Sequence, residues 1–262
     1  MNHIVIFTAS FAFILGSIIG SFMNVCIYRL PRKLSIVKPR SFCPECRTPI
    51  PWYQNIPIVS YLFLMGKCSF CRTWISPIYP FVEAVNGLFY LWLHMRFGFS
   101  LEFVLYAPFV SALIILFFID YREKILPDEI TLSGIVFGIG LSPLIERLGV
   151  LNSVSGAAVG FIIFYFIAFL YERIAGKEGM GGGDVKMIAM VGAVLGLKGV
   201  MATIFIASLL GALFGIYLII FHKKDFKYAV PFGCFISIGA VVFLVAGEML
   251  SHWYFQLIGL HG

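Results

Sequence analysis

Two aspartates stand beside long apolar runs, where a carboxylate is costly unless it serves a function. Asp120 ends the stretch FFID, and Asp184 follows three glycines in GMGGGDVKM, 64 residues further on. Ionisable side chains that border the hydrocarbon of a membrane are functional candidates. Two carboxylates held close together cannot both ionise easily, so one keeps a proton while the other activates a water molecule. The pair therefore predicts the chemistry of an aspartic protease.

Each aspartate also has a simpler interpretation. Asp184 could be the N-cap of a helix that begins at Val185, and Asp120 could be an interfacial charge in a short acidic loop. The glycines at 179 and 181–183 favour a binding role, because bare backbone lets an extended peptide approach closely and lets a loop move. The predicted substrate loop consists of Gly181, Gly182, Gly183 and Lys186.

Four cysteines form two C-x-x-C pairs, CPEC and CSFC, separated by 21 residues. This spacing approximates a zinc ribbon, in which four thiolates hold one tetrahedral Zn²⁺. Disulfides and redox-active pairs are the alternatives, although no thioredoxin-like helix pattern follows either pair. The surrounding segment, 28–80, has eight prolines and cannot easily form a core of its own. We therefore predict one structural zinc ion, bound by Cys43, Cys46, Cys68 and Cys71.

The elements that must position these groups belong to a membrane protein. Of the 262 residues, 60% are hydrophobic and 12% charged, against roughly 25% charged in soluble domains. Runs of about 20 apolar residues predict transmembrane helices. We predict an all-α polytopic membrane protein of about eight transmembrane helices with a zinc-stapled cytoplasmic insert. The predicted spans are 4–27, 81–97, 101–119, 130–147, 153–171, 185–197, 199–221 and 229–250, with Lys198 separating the sixth from the seventh.

The basic residues predict the orientation of these helices. If residues 28–80 face the cytoplasm, 16 of the 19 Lys and Arg residues lie on the cytoplasmic side, as the positive-inside rule requires. Both aspartates then lie at the cytoplasmic face and both termini lie on the opposite side. The four cysteines lie in a reducing compartment, which disfavours disulfides. The net charge of +6 reflects this topology, and no basic run indicates nucleic-acid binding.

Three parts of the chain follow from this pattern. The first transmembrane helix covers 1–27 and is predicted to remain as an anchor, because no small-residue cleavage site follows it. The cysteine-rich insert covers 28–80, and a membrane-embedded aspartic peptidase domain covers 81–262.

Several ordered motifs resemble those of the type IV prepilin peptidases. GSFMNVCIYRLPR is similar to that family's exit from its first helix, and ISPIYPFVEAVNG to its return to the membrane. CPEC and CSFC resemble its cysteine pairs. IDYREKILPDEIT resembles its first aspartate motif, and GGGDVKM its G-x-G-D motif. The resemblance covers nearly the whole chain.

The resemblance implies a bifunctional enzyme of the bacterial inner membrane. Such enzymes remove the basic leader of prepilins or pseudopilins and then methylate the new N-terminus with S-adenosylmethionine. Asp120 and Asp184 match the family's catalytic pair, and Asp128 is the rival for the first position. The methyl-donor site has no sequence signature of its own. The cysteine-rich insert is its plausible location, and Glu83 is one candidate residue.

Two other functions compete with this interpretation. A proton- or cation-coupled transporter would also use acids in membrane helices, although it would place them near the midplane and often shows repeated halves. A scaffold for a pilus machine would leave the aspartate pair without a purpose. We also expect acids near the site to attract a basic leader, while the bilayer accommodates the apolar part of the substrate. These acids are Glu123, Asp128, Glu129, Glu172 and Glu178.

Overall fold

The computed structural model describes residues 3–176, 181–222 and 231–257. Within these ranges the regular structure is helical, and the only β-pairing is two isolated bridges. The all-α prediction is therefore confirmed. The chain divides into two compact units, Met1–Ile115 and Leu116–Gly262, called here the N-terminal and C-terminal units.

The N-terminal unit contains α1 (His3–Arg29), the short helix α2 (Val59–Phe63), α3 (Ile78–Phe97) and most of α4 (Leu101–Glu123). The helices α1 and α3 pack side by side. A side chain at Gly16 would collide with Tyr90, and one at Gly20 would collide with the backbone of Glu83. The absence of side chains at these two glycines therefore allows α1 and α3 to pack closely.

The segment between α1 and α3 has little regular structure besides α2 and two single 3₁₀ turns, Leu30–Arg32 and Trp52–Gln54. The buried guanidinium of Arg29 closes its first loop by donating hydrogen bonds to the carbonyl oxygens of Ser35 at 2.8 Å and Pro39 at 2.9 Å. Local backbone and side-chain contacts of this kind replace the hydrophobic core that the proline-rich sequence cannot form.

The C-terminal unit contains the end of α4, followed by α5 (Asp128–Leu141), α6 (Val150–Ala175), α7 (Gly182–His222) and α8 (Phe232–Leu257). The helix α7 packs against α5, α6 and α8, and its first half is buried on nearly every side. Close approach to α6 depends on Gly156 and Gly192, since a side chain at either would collide with the backbone of the other. The Ser153 hydroxyl donates to the Ala193 carbonyl at 2.6 Å across the same contact. These contacts hold the first half of α7 against α6.

The 41 residues of α7 include one break. At 1.5 Å per residue the helix would be about 60 Å long, twice the thickness of the hydrocarbon. Gly196 adopts φ 71° and ψ −173°, which interrupts the helix. The amide of Leu197 is left without a helical acceptor and donates instead to Asn152 Oδ1 at 2.9 Å. The sequence therefore predicted two segments correctly, but the break lies at Gly196 rather than Lys198.

Among the residues that the structure describes, four helices are long and apolar enough to cross a membrane, and a shorter apolar helix covers Phe232–Gly247. The four are His3–Arg32, Leu101–Glu123, Val150–Ile174 and Gly182–Phe221. Many of their large apolar side chains point outward, including Phe7, Ile162 and Phe205. Exposed apolar surface of this extent is typical of a protein surrounded by lipid.

One predicted span is too long. The run 130–147 corresponds to α5, which begins at Asp128 and ends at Leu141 after 14 residues. Pro143 follows in a 3₁₀ turn, and it has no backbone amide with which to continue the hydrogen-bonding pattern of the helix. The predicted span 229–250 corresponds to α8, and its first two residues lie outside the described part of the chain. Glu178 and Gly179 of the sequence analysis also lie outside it.

Candidate active site and candidate metal centre

Asp120 lies in the last turns of α4 and is 5% exposed. Its Oδ2 atom accepts a hydrogen bond from the backbone amide of Cys234 at 3.1 Å. Cys234 belongs to the first turn of α8, where backbone amides have no acceptor within the helix. The helix macrodipole also favours a carboxylate at this end. The start of α8 thus fixes the position of the Asp120 carboxylate.

Gly233 leaves room for the Asp120 carboxylate to approach the start of α8. A Cβ atom there would lie 3.0 Å from Asp120 Oδ2 and 3.0 Å from a methyl group of Leu126. Neither Gly233 nor Cys234 was predicted from the sequence as part of the site. The stretch Pro231-Phe232-Gly233 marks a helix start, but no sequence signal connects it to an aspartate 114 residues earlier.

Asp184 lies in the first turn of α7, and its backbone amide donates to the Gly181 carbonyl at 3.0 Å. Its side chain is half-buried. Asp120 and Asp184 lie close enough for their charges to interact. The structure therefore brings together the two aspartates that the sequence singled out.

The predicted glycine loop is wrong in part. Gly182 and Gly183 belong to α7, and only Gly181 of the three precedes it. The helix also begins before Val185, so Asp184 is not its N-cap. The missing side chain of Gly183 explains the early start, because a Cβ there would lie 2.8 Å from Leu126 Cβ. The position of Asp184 is set by a helix turn packed against Leu126.

Lys186 was also predicted as part of the substrate loop, but it belongs to α7 and forms an ion pair. Its Nζ atom lies 2.7 Å from both carboxylate oxygens of Asp128, the first residue of α5. The two side chains are 35% and 51% exposed. Asp128 is therefore an accessible, neutralised acid, whereas Asp120 is buried and forms no ion pair with a basic side chain of the described residues. This contrast favours Asp120 over its rival.

In the N-terminal unit, each cysteine pair forms the same tight turn. In the first, the Cys43 amide donates to Thr48 O and the Arg47 amide to Cys43 O. In the second, the Cys68 amide donates to Thr73 O and the Arg72 amide to Cys68 O. Arg47 and Arg72 both have positive φ angles, which reverse the chain after each pair. The repeat C-x-x-C-R-T-x-I, found at both places, is the signal that the sequence analysis missed.

The four thiol sulfurs fit a tetrahedral ion. All four lie within 4.8 Å of one another. The Cys43 and Cys71 sulfurs are 3.8 Å apart, which matches the edge of about 3.8 Å in a tetrahedron with Zn–S bonds near 2.3 Å. The distance is far too long for a disulfide. Among the described residues, this is the one cluster of His, Cys, Asp or Glu side chains suited to a metal.

The surroundings of the thiols differ from one another. Burial raises the pKa of the Cys43 thiol to about 11, while hydrogen bonds with Thr73 lower the pKa of the Cys71 thiol to about 6. A bound divalent cation removes the proton from a coordinating thiol outright. The cluster is thus a possible metal site, and its donor set is consistent with zinc.

Two family profiles match this chain. Residues 14–97 match the Bacterial Peptidase A24 N-terminal domain, and residues 107–216 match the Type IV leader peptidase family. A protein of Pseudomonas putida named prepilin leader peptidase/N-methyltransferase is 32% identical over 95% of this chain and 94% of its own length.

The chain belongs to the type IV leader peptidase family. Two further relatives carry the same name as the Pseudomonas protein. The one from Neisseria gonorrhoeae is 35% identical over 85% of this chain and 86% of its own length. The one from Myxococcus xanthus is 39% identical over 81% of this chain, and the match spans 63% of that relative. No solved structure matches the chain.

Membership of the family makes this chain a membrane peptidase and confirms the resemblance found in the sequence. Its apolar helices and bacterial relatives identify a multi-pass protein of the bacterial inner membrane. The transporter interpretation receives no support.

Proposed function

We propose that this chain cleaves the leader from type IV prepilins or pseudopilins with Asp120 and Asp184 and then methylates the new N-terminus. The proposal rests on the buried carboxylate of Asp120. This carboxylate accepts a hydrogen bond from the first turn of α8 and lies close enough to Asp184 for the two charges to interact. The names of the relatives support both activities.

In the proposed cleavage, the aspartates divide general acid and general base roles between them. The ionised carboxyl accepts a proton from a water molecule, whose oxygen forms a bond to the scissile carbonyl carbon. The protonated carboxyl donates its proton to the carbonyl oxygen. As the C–N bond breaks, the carboxyl that took the proton from water donates it to the leaving amine, and a hydroxyl of the tetrahedral carbon returns a proton to the other carboxylate. Neither a metal ion nor a covalent intermediate is required.

The proposed orientation places this site at the cytoplasmic face. It rests on the distribution of basic residues. Glu123 ends α4, Glu129 lies in the first turn of α5, and Glu172 lies near the end of α6. These acids would attract a basic leader while the apolar segment of the substrate stays in the bilayer. Thiol labelling of cysteines placed at Ile75 and Gly149 should occur on opposite sides of the membrane.

The proposed parts of the chain follow the sequence. Residues 1–27 form the first transmembrane helix, 28–80 the cytoplasmic insert, and 81–262 the peptidase domain. Zinc bound by Cys43, Cys46, Cys68 and Cys71 would hold the two turns of the insert together and supply no chemistry to cleavage. In the proposed methylation, S-adenosylmethionine would supply a methyl group to the new N-terminal nitrogen, which would lose a proton, and the donor would leave as a neutral thioether.

The experiment that tests both activities uses purified protein and a purified prepilin. Mass spectrometry should show loss of the leader without any added donor. A further mass gain of one methyl group should require S-adenosylmethionine. Prepilin that stays intact would contradict the peptidase assignment, and cleaved pilin that never gains the methyl group would contradict the second activity.

A further inference from the structure

One leucine side chain contacts the starts of both α7 and α8. Leu126 lies in the short connection between α4 and α5 and is half-buried. A Cβ atom at Gly183, in the first turn of α7, would lie 2.8 Å from the Cβ atom of this leucine. A Cβ atom at Gly233, in the first turn of α8, would lie 3.0 and 3.1 Å from its two δ-methyl groups. Both helices therefore lack a side chain at the position where Leu126 packs.

The backbone on either side of Leu126 is held by hydrogen bonds to the adjoining helices. Before it, the Lys124 amide donates to the Asp120 carbonyl at 3.0 Å, and Lys124 has φ 55°, which ends α4 and reverses the chain. After it, the Pro127 carbonyl accepts a hydrogen bond from the Ile130 amide of α5 at 3.2 Å. Leu126 thus belongs to a short connection whose two ends are both fixed.

The two helix starts position the aspartate pair. Asp184 immediately follows Gly183 in the chain. Cys234, whose amide donates to Asp120 Oδ2, immediately follows Gly233. A displacement of either helix start therefore changes the separation of the two carboxylates. A shift of about 1 Å in a reacting group can cost about 100-fold in rate.

We propose that Leu126 is a positioning residue for leader cleavage, because its side chain sets the distance between the starts of α7 and α8. That distance in turn sets the separation of the Asp120 and Asp184 carboxylates. The inference rests on the proposed use of these two aspartates. A hydrocarbon side chain transfers no proton, so Leu126 acts only through its contacts with the two glycines. Its loss should slow the chemical step and leave prepilin binding unchanged.

The test follows prepilin cleavage in single turnovers, with purified full-length enzyme in excess. Leu126→Ala removes both δ-methyl groups. We expect the rate constant to fall about 30-fold, because the aspartates are no longer held at the productive separation. The final fraction of prepilin cleaved and the steady-state KM should stay the same. A variant that merely misfolds in part would instead keep the rate constant of its folded fraction.

Conservative and neighbouring substitutions identify the side chain that matters. Leu126→Met should cleave within about threefold of the unmodified protein, because methionine has a similar volume. Ile125→Ala is the matched control, since Ile125 belongs to the same connection and is 46% exposed. Its rate constant should stay within about twofold. If Leu126→Ala does not fold, Leu126→Val replaces it, and its shorter side chain should slow cleavage about tenfold.

A double variant tests the contact with α8. In Gly233→Ala, the new methyl group meets both the Asp120 carboxylate and the δ-methyl groups of Leu126. Removing these δ-methyl groups as well should add little. Gly233→Ala combined with Leu126→Ala should therefore cleave within about threefold of Gly233→Ala alone, whereas independent sites would multiply their losses.

Three results would overturn the proposal while the proposed function stands. The first is an unchanged rate constant in Leu126→Ala or in its replacement, Leu126→Val. The second is an equal loss in Ile125→Ala, which would assign the effect to the connection as a whole. The third is a double variant in which the two losses multiply. If the unmodified protein does not cleave prepilin, or if Asp120→Asn cleaves at the full rate, the proposed function fails and this inference fails with it.

Discussion

The cysteine cluster and the aspartate pair are assembled in opposite ways. Each cysteine turn is closed by hydrogen bonds between residues at most five positions apart, such as Cys43 and Thr48. The aspartate site takes Asp120 from α4, Asp184 from α7 and an amide from Cys234 in α8. The first kind of site depends on local backbone conformation and a bound ion. The second depends on how well three helices pack, so small steric changes far from either aspartate should matter.

The largest effect is expected on zinc binding when a cysteine of the cluster is replaced. Cys43→Ser should abolish stoichiometric zinc binding, because structural zinc sites contribute about 10–16 kcal/mol of apparent binding energy and need all their thiolates. Metal analysis and limited proteolysis of the segment 41–76 would measure this. Cys26→Ala is the control, since Cys26 is buried in α1 and lies outside the cluster. A Cys43→Ser protein with full zinc content and a protected segment would contradict the metal site.

The next effect tests the helix-packed site. Gly233→Ala should reduce cleavage by about 100-fold, because the new methyl group displaces Asp120 and a shift of about 1 Å costs that much. The kinetic constants kcat and KM for prepilin would be measured in purified protein. Gly140→Ala is the control, since a methyl group there meets no atom within 4 Å. Equal activity of the two variants would mean that the absence of a side chain at Gly233 is not needed to position the Asp120 carboxylate.

A smaller effect is expected at the ion pair between α5 and α7. Lys186→Met and Asp128→Asn should each lower stability by at most about 1 kcal/mol, as exposed pairs do. Cleavage should stay within about fivefold of the unmodified protein, because neither residue is proposed to act in the chemistry. A double-mutant cycle on unfolding would isolate the pair. Loss of cleavage in Asp128→Asn alone would make Asp128 the first catalytic acid.

The smallest effect concerns substrate attraction. Combining Glu129→Lys with Glu172→Lys should raise KM for prepilin by about two- to fivefold with little change in kcat, as expected for uniform binding. The difference should shrink as salt concentration rises, because exposed charges are screened. An unchanged KM at low salt would argue against electrostatic attraction of the leader.

The same contrast between the sites explains what the sequence could predict. Apolar runs predicted the helices, because burial in lipid requires long uninterrupted apolar segments. Cysteine spacing predicted the metal cluster, because both turns are local. The aspartates were found by their unusual position at the ends of apolar runs. In each case the deciding physical feature lies within a short stretch of chain.

Other features depend on contacts between distant residues and were not predicted. The position of the Asp120 carboxylate depends on Gly233 and Cys234 of α8. The early start of α7 depends on the close contact between Gly183 and Leu126. The break in α7 lies at Gly196 because Asn152 of α6 accepts the amide that the break exposes. The ion pair of Lys186 with Asp128 joins residues 58 positions apart. None of these contacts leaves a local pattern in the sequence.

The central claim is most directly tested by the leader cleavage of Asp120→Asn, Asp184→Asn and the double variant. Each change removes acid–base function but nearly preserves shape. We expect each single variant to lose cleavage by at least about 1,000-fold and the double variant to lose little more, since the two residues act as a unit.

Three measurements accompany this test. Bound zinc should show that the variants fold, and methylation of an already cleaved pilin should persist. In the unmodified protein, cleavage should follow a bell-shaped pH profile whose two apparent pKa values belong to the pair. Full cleavage by Asp184→Asn would contradict the account, because no other residue in it replaces that carboxylate.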